Sequence, residues 1–161
     1  MSDTQAFVPT ADLCDARGTQ VHVLDAAWID YGARRRVAGP AMTLTTDDDN
    51  TQVRALLEQP GEGRVLVVDN GASRRCAMVG GNLGLLAERN GWAGIVVNGM
   101  VRDSAELAAH QVVIKALGTC PRKSEKRGVG TPGATLFVAG VTIRPGDTIV
   151  ADEDGVVVVP A

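Results

Sequence analysis

The chain alternates between dense apolar runs and segments with helical spacing. Val65–Val68 (VLVV, within Arg64 to Asp69) and Gly94–Asn98 (GIVVN) are short apolar runs bounded by turn residues, the pattern of strands buried on both faces. Between them, Asn82–Asn90 (NLGLLAERN) sets Leu83, Leu86 and Ala87 at helical spacing, and Gly91 stops the helix. A further helix is predicted over Asp103 to His110 and a strand over Val112 to Leu117. Upstream, Thr10 caps a short helix over Ala11 to Ala16. Val37 to Thr46 reads as a strand with an interruption at Gly39-Pro40. Asp47 to Asn50 is a polar turn that starts a helix running to Gln59, ended by Pro60-Gly61. Gln20 to Tyr31 shows no clear period.

The strand–helix–strand–helix–strand order predicts crossover units and at least a partly parallel sheet. Beyond the basic loop Pro121–Gly130 (PRKSEKRGVG) the pattern changes. Short β runs at Thr135–Val138, Val141–Ile143, Thr148–Ala151 and Val156–Val159 are separated by Gly140, Pro145-Gly146 and Asp154-Gly155. They predict antiparallel structure completing the same domain. With no repeat or linker, the expectation is one α/β domain over residues 1–161, with a mixed sheet and a β-rich C-terminal part.

A chain of 161 residues fits one domain, and one of that size buries about two-thirds of its unfolded surface. Aromatic residues are only 3 % of the chain against 45 % apolar, so the core must be aliphatic. The net charge of −3 argues against a general nucleic-acid grip, which needs a basic face. No apolar run reaches the ~18 residues of a membrane span. The N-terminal residues lack the basic start and apolar stretch of a secretion signal, so a cytoplasmic location is expected. Cys14, Cys76 and Cys120 are far apart, and His22 and His110 are isolated. Free thiols are expected, and no Cys/His zinc site.

The most informative stretch is Gly80–Glu106 (GGNLGLLAERNGWAGIVVNGMVRDSAE). It reads as a Gly-rich helix start, a helix, a buried strand, and an Arg-Asp pair at the strand's exit, where open α/β sheets place ligands. Backbone N–H groups of Gly80 to Leu83 are suited to a carboxylate, aided by the helix dipole. The planar Arg102 guanidinium suits the same anion, and Asp103 offers a hard oxygen to Mg²⁺ or Mn²⁺. A plainer reading also fits. Asp103-Ser104-Ala105-Glu106 has the form of a capping box, with Asp103 as N-cap and Glu106 at N3, and Gly80-Gly81 could serve packing alone.

Other features read more plainly still. Asp69–Ser73 is a structural turn rather than a nucleotide or S-adenosylmethionine loop, because it lacks the GxG spacing. Asp47-Asp48-Asp49-Asn50 is a solvated turn that caps a helix, in preference to a cation site. Arg122, Lys123, Lys126 and Arg127 either steer an anionic substrate or are simply solvated. Cys76, beside Arg74 and Arg75, is read as an inert thiol rather than one with a lowered pKa. Lys115 is read as a snorkelling edge residue rather than a Schiff-base lysine.

The blocks VLVVDNGAS, GGNLGLLAERNGWAGIVVNGMVRD, IKALGTCPRKSEKRGVG and ADEDGVVVVP resemble, in order, successive blocks of one family. It holds the regulator of ribonuclease activity A and the metal-dependent 4-hydroxy-4-methyl-2-oxoglutarate aldolases. The resemblance implies a swivelling ββα-type fold assembled as a homotrimer, with sites near subunit interfaces. Carried over, Gly80, Gly81, Asn82 and Leu83 line the substrate carboxylate and Arg102 touches the substrate. Asp103 anchors Mg or Mn, with Glu106 as the acidic residue nearby. The implied reaction cleaves 4-hydroxy-4-methyl-2-oxoglutarate to two pyruvates, with oxaloacetate decarboxylation as a side activity through the same pyruvate enolate. The implied partner is a small 2-oxo acid, with neither nucleic acid nor membrane. The alternative is a non-catalytic trimeric regulator that binds ribonuclease E. That regulator lacks the Asp of the Arg-Asp pair, so Asp103 leans toward the enzymes. Two departures lean back. Many relatives carry Gly-Asp where this chain has Gly80-Gly81, and the longer aldolases extend past the last β run to lend an acid to a neighbouring subunit. The proton-transfer group is therefore left unassigned.

Overall fold

In the computed structural model, which describes residues 6–161, the apolar runs form the middle of a mixed sheet. The elements are α1 (Thr10–Arg17), a 3₁₀ turn at Gly18–Gln20, β1 (His22–Val23), β2 (Ile29–Asp30), β3 (Val37–Thr45), α2 (Thr51–Leu57), β4 (Val65–Asp69), β5 (Ala77–Val79), α3 (Gly81–Arg89), β6 (Gly94–Val101), α4 (Ser104–Leu107), β7 (Val113–Thr119), β8 (Thr131–Pro132), β9 (Leu136–Val138), β10 (Val141–Ile143), β11 (Thr148–Asp152) and β12 (Gly155–Val159). The main sheet runs β1-β12-β11-β3-β4-β6-β7-β2, with β5 beside β6 and β8 beside β3. β3, β4, β6 and β7 are parallel, joined by α2, α3 and α4. β11, β12, β1 and β2 pair antiparallel, and β9 with β10 forms a separate hairpin. The α/β class, the mixed sheet and the β-rich C-terminal part are as expected.

Burial on both faces explains the unbroken apolar runs. In β4, Leu66 and Val68 face α2 and α3, packing with Val53, Leu56, Leu57, Leu83 and Ala87. Val65 and Val67 face the other way, onto Leu136, Val138, Ile143, Ile149, Val156 and Val158 from β9 to β12. Fully burying one such aliphatic side chain is worth about 1.5–3 kcal/mol, and these two layers together make the core.

The Gly39-Pro40 interruption does not occur, because β3 changes partners there. Residues Val37 to Pro40 pair with β11, and Ala41 to Thr45 pair with β4. Gly39 is needed for close approach: a Cβ on it would lie 2.3 Å from the Gly63 carbonyl oxygen.

The helix predicted to run to His110 ends at Leu107. Past that point the bonding tightens to i→i+3, with Ala109 N–H on the Glu106 carbonyl and His110 N–H on that of Leu107. Gln111 N–H then turns to the Glu88 carboxylate. Lys115 is no edge residue. β7 lies between β6 and β2, Lys115 is 1 % exposed, and its Nζ donates to the Asp152 carbonyl and lies 3.1 Å from Asp30 Oδ1. No helix among the described residues is long and apolar enough to cross a membrane.

Candidate active site

Two chain segments meet at the exit of the parallel strands. β5 leads through Gly80 into α3, and β6 leads through Arg102 and Asp103 into α4. Arg102 N–H bonds the Val79 carbonyl at 2.9 Å, fastening the two exits together. Asp103 then adopts the left-handed region, φ 56° and ψ 43°, a conformation that Asp tolerates better than most residues. This turn aims its carboxylate back at α3, where Oδ2 accepts the Gly81 N–H at 2.9 Å. The capping box is therefore not formed. Asp103 occupies the N-cap position of α4 but makes no side-chain cap hydrogen bond to it.

Gly80 leaves room for this contact, since a Cβ there would come within 2.8 Å of Asp103 Oδ2. With Gly81 N–H engaged by Asp103 and Gly84 N–H by the Gly80 carbonyl, the N–H groups of Asn82 and Leu83 have no acceptor among the described residues. They remain as donors at the positive end of α3.

These groups line a cleft of about 470 Å³, counting its open mouth, bounded by Gly80, Gly81, Asn82, Leu83, Arg102 and Asp103. The structure thus brings every substrate-side residue named from the sequence into one place. Glu106 is not on the cleft wall, but its carboxylate lies directly against Gly81. The cleft also contains Asn50, read from the sequence only as part of a capping turn, and three residues the sequence did not mark: Arg54, Ala77 and Ser124. Arg54 gave no signal, being one exposed arginine on a helix.

Lys123 and Lys126 of the basic loop reach the same cleft. They have no carboxylate partner among the described residues. Four cationic side chains therefore face one acid, Asp103, which makes the cleft a place for anions.

Asp49 holds this loop in place, and neither it nor its neighbour Asp48 belongs to a solvated turn. Asp49 is 0 % exposed, and its carboxylate accepts the backbone N–H groups of Thr51, Arg127 and Val129. Burial raises its pKa, but the hydrogen bonds from Thr51, Arg127 and Val129 outweigh that and hold it at about 2. Asp48 is also held at about 2: burial raises it, and bonds from Ser73, Arg75, Asn70 and Cys76 lower it further. Both carboxylates are spent on protein donors, so this turn is structural. Cys76 is the counterpart. Burial first, then its bond to the Asp48 carboxylate, pushes its thiol up to about 11, an inert group as read from the sequence. Asp69 Oδ1 accepts Gly71 N–H and Asn98 Nδ2, which makes Asp69–Ser73 a side-chain-stabilised turn.

The cation implied by the resemblance can be tested against this donor set. Among the described residues no cluster of three or more His, Cys, Asp or Glu exists. One Asp103 oxygen is taken by Gly81, while Oδ1 has no hydrogen bond. A single hard oxygen suits Mg²⁺ or Mn²⁺, which keep several waters and take the rest of their shell from substrate. The residues fit such an ion.

Residues 10–158 match the family model described as RraA-like: Aldolase/RraA. A Burkholderia multivorans protein named "Putative 4-hydroxy-4-methyl-2-oxoglutarate aldolase" is 58 % identical over 154 residues, covering 92 % of this chain and 94 % of that one. Among solved structures, the RNA-processing inhibitor RraA from Thermus thermophilis superposes with a TM-score of 0.92 at 42 % identity, covering 96 % of this chain and 94 % of that one. A Geobacillus kaustophilus structure described as an S-adenosylmethionine: 2-dimethylmenaquinone methyltransferase superposes with a TM-score of 0.93 at 42 % identity, covering 95 % of each chain. The match spans nearly the whole chain, and the chain belongs to the RraA-like, Aldolase/RraA family.

Proposed function

We propose that this protein is a divalent-metal-dependent lyase, assembled as a homotrimer. It cleaves 4-hydroxy-4-methyl-2-oxoglutarate to two pyruvates and decarboxylates oxaloacetate as a side reaction. The observation that carries this reading is the convergence on one cationic cleft of Asp103, Arg102 and the unpaired N–H groups of Asn82 and Leu83. Arg102 and those two N–H groups hold and orient the substrate carboxylate and 2-oxo group. Asp103 holds Mg²⁺ or Mn²⁺ through its free oxygen, and the Gly81 N–H keeps the carboxylate from rotating away. When bound, the cation supplies Lewis-acid stabilisation of negative charge on the 2-oxo oxygen. Lys123 and Lys126 draw in the doubly charged substrate. Cleavage of the C3–C4 bond leaves its electron pair on one pyruvate fragment as an enolate, whose charge the same cationic wall favours.

The test is a coupled pyruvate-release assay with 4-hydroxy-4-methyl-2-oxoglutarate or oxaloacetate and Mg²⁺. Turnover lost on chelation and restored by Mg²⁺ or Mn²⁺ supports the reading. Unchanged turnover in metal-free protein overturns the mechanism, and no turnover with either substrate overturns the reading.

The likeness to the Thermus RNA-processing inhibitor favours a second reading, a trimeric protein-binding regulator of the ribonuclease E type. A ribonuclease E inhibition assay separates the two. Inhibition that survives Asp103→Ala, without pyruvate release by the parent protein, selects the regulator.

A further inference from the structure

Cleavage of a 4-hydroxy-2-oxo acid requires a group that takes up the hydroxyl proton. Of the carboxylates already described in the cleft there is only Asp103, which the lyase reading assigns to the cation. We propose that Glu106 is the proton-transfer group, placed there because residue 81 is glycine; this rests on the lyase reading and deepens it.

The geometry is specific. A Cβ built on Gly81 would lie 1.9 Å from Glu106 Oε2 and 2.8 Å from its Cδ. The Glu106 carboxylate thus fills the volume that a side chain of residue 81 would occupy. Glycine at 81 and glutamate at 106 form one arrangement, in which the acid is delivered from α4 across to the start of α3. The left-handed turn at Asp103 makes this possible, since it directs residues 103 and 106 toward the same residue of α3. Asp103 engages the Gly81 N–H, and Glu106 lies against the Gly81 Cα. The Glu106 side chain has no ion pair or hydrogen bond among the described residues and is exposed. It is therefore unencumbered, unlike the carboxylates of Asp48 and Asp49, which are engaged by protein donors.

The proton balance is simple. Standing beside the cleft wall rather than on it, Glu106 accepts the 4-hydroxyl proton through one bridging water, the O–H electron pair becomes the new C4 carbonyl bond, and the C3–C4 bond breaks. The C3–C4 pair stays on the departing enolate. Returning the same proton from Glu106 to C3 gives pyruvate and restores the carboxylate. Oxaloacetate decarboxylation has no hydroxyl proton to remove, so Glu106 enters only at the protonation step, passing to C3 a proton taken up from solvent.

Three variants test this: Glu106→Gln, Glu106→Ala and the double variant Gly81→Asp/Glu106→Ala. Glu106→Gln lowers aldol kcat on the order of a hundredfold with little change in KM and removes the acid limb of the kcat–pH profile. Decarboxylation falls by about tenfold less. The double variant recovers at least about tenfold of the aldol kcat lost in Glu106→Ala, because an acid returns to the same volume from the other side. One readout is independent of turnover. Mn²⁺ binding, followed by water-proton relaxation, weakens on the order of tenfold in Glu106→Ala and recovers in the double variant. Wild-type aldol kcat in both Glu106 variants overturns the proposal, as does Mn²⁺ binding unchanged in Glu106→Ala. If Asp103→Ala abolishes both reactions while Glu106→Gln spares both, the proposal alone fails. If the parent protein releases no pyruvate, the lyase reading fails and takes the proposal with it.

Discussion

Asp103 accepts the backbone N–H of Gly81 at 2.9 Å, twenty-two residues away in sequence, and so ties the exit of β6 to the first turn of α3. One carboxylate oxygen fixes the geometry, and the other, free of hydrogen bonds, is the one the lyase reading gives to the cation. The two roles come apart in Asp103→Asn. Asparagine also tolerates the left-handed backbone and its carbonyl oxygen can keep the bond to Gly81, but the charge is gone. Thermal unfolding of this variant should stay within about 1 kcal/mol of the parent, while pyruvate release falls to background. Asp103→Ala should lose both, because the bond to Gly81 goes as well.

Arg102 presents a planar fork that Lys cannot reproduce. Under the lyase reading, Arg102→Ala removes a substrate carboxylate partner and should reduce kcat/KM by about a hundredfold or more, with part of the loss in KM. Arg102→Lys should recover less than about a tenth of the parent value. Steady-state kinetics with oxaloacetate gives both numbers, and full activity in the lysine variant would contradict the two-point grip.

Under the lyase reading, Lys123 and Lys126 act through their field. The double variant Lys123→Ala/Lys126→Ala should raise KM for doubly charged substrates by about tenfold at low ionic strength and flatten the salt dependence of kcat/KM. Measuring kcat/KM between low and high salt checks this. A parent enzyme indifferent to salt would remove the basis for it.

Acid stability follows from Asp48 and Asp49. Both titrate at about 2 in the fold, against an ordinary value of 3.8. As pH falls the unfolded chain takes up protons first, so the stabilisation is complete above about pH 4 and is lost as pH passes down through about 2. Each carboxylate contributes on the order of 2 kcal/mol. Denaturant titrations across that window should show the loss, and Asp49→Asn should blunt it. That variant should also open the basic loop to trypsin at Lys126, because the N–H groups of Arg127 and Val129 lose their shared anchor.

Much of this architecture was legible in the chain. The runs around Val65–Val68 and Gly94–Val97 announced themselves because both of their faces are buried, and the Arg102-Asp103 exit stood out for its position after such a run. What stayed hidden depended on distant partners. Pro40 breaks a strand by local rules, yet here it stands where β3 passes from β11 to β4. Asp49 looked like a surface turn residue, and only the returning loop at Arg127 and Val129 makes it buried. Asp103 looked like an N-cap, and its left-handed backbone turned it to Gly81 instead. Arg54 and Ser124 joined the cleft from elements far apart in sequence, with no motif to mark them.

Lys115 illustrates the same dependence energetically. Its ammonium is enclosed with Asp30 and the Asp152 carbonyl. Lys115→Met should destabilise the fold by about 3 kcal/mol, since it strands the Asp30 carboxylate. Lys115→Met combined with Asp30→Leu should regain most of that loss in urea unfolding, as removing both partners leaves no charge behind.

The handover at Pro40 also bears on how the chain is made. Half of β3 has its neighbour in β11, more than a hundred residues later. A nascent chain emerging from the ribosome can assemble β4, β6 and β7 around α3, but the first four residues of β3 must wait, unpaired, until Asp152 has been synthesised. Folding of this protein is thus completed only after β11 has been made, and closing the long loop that β11 bounds should limit the folding rate.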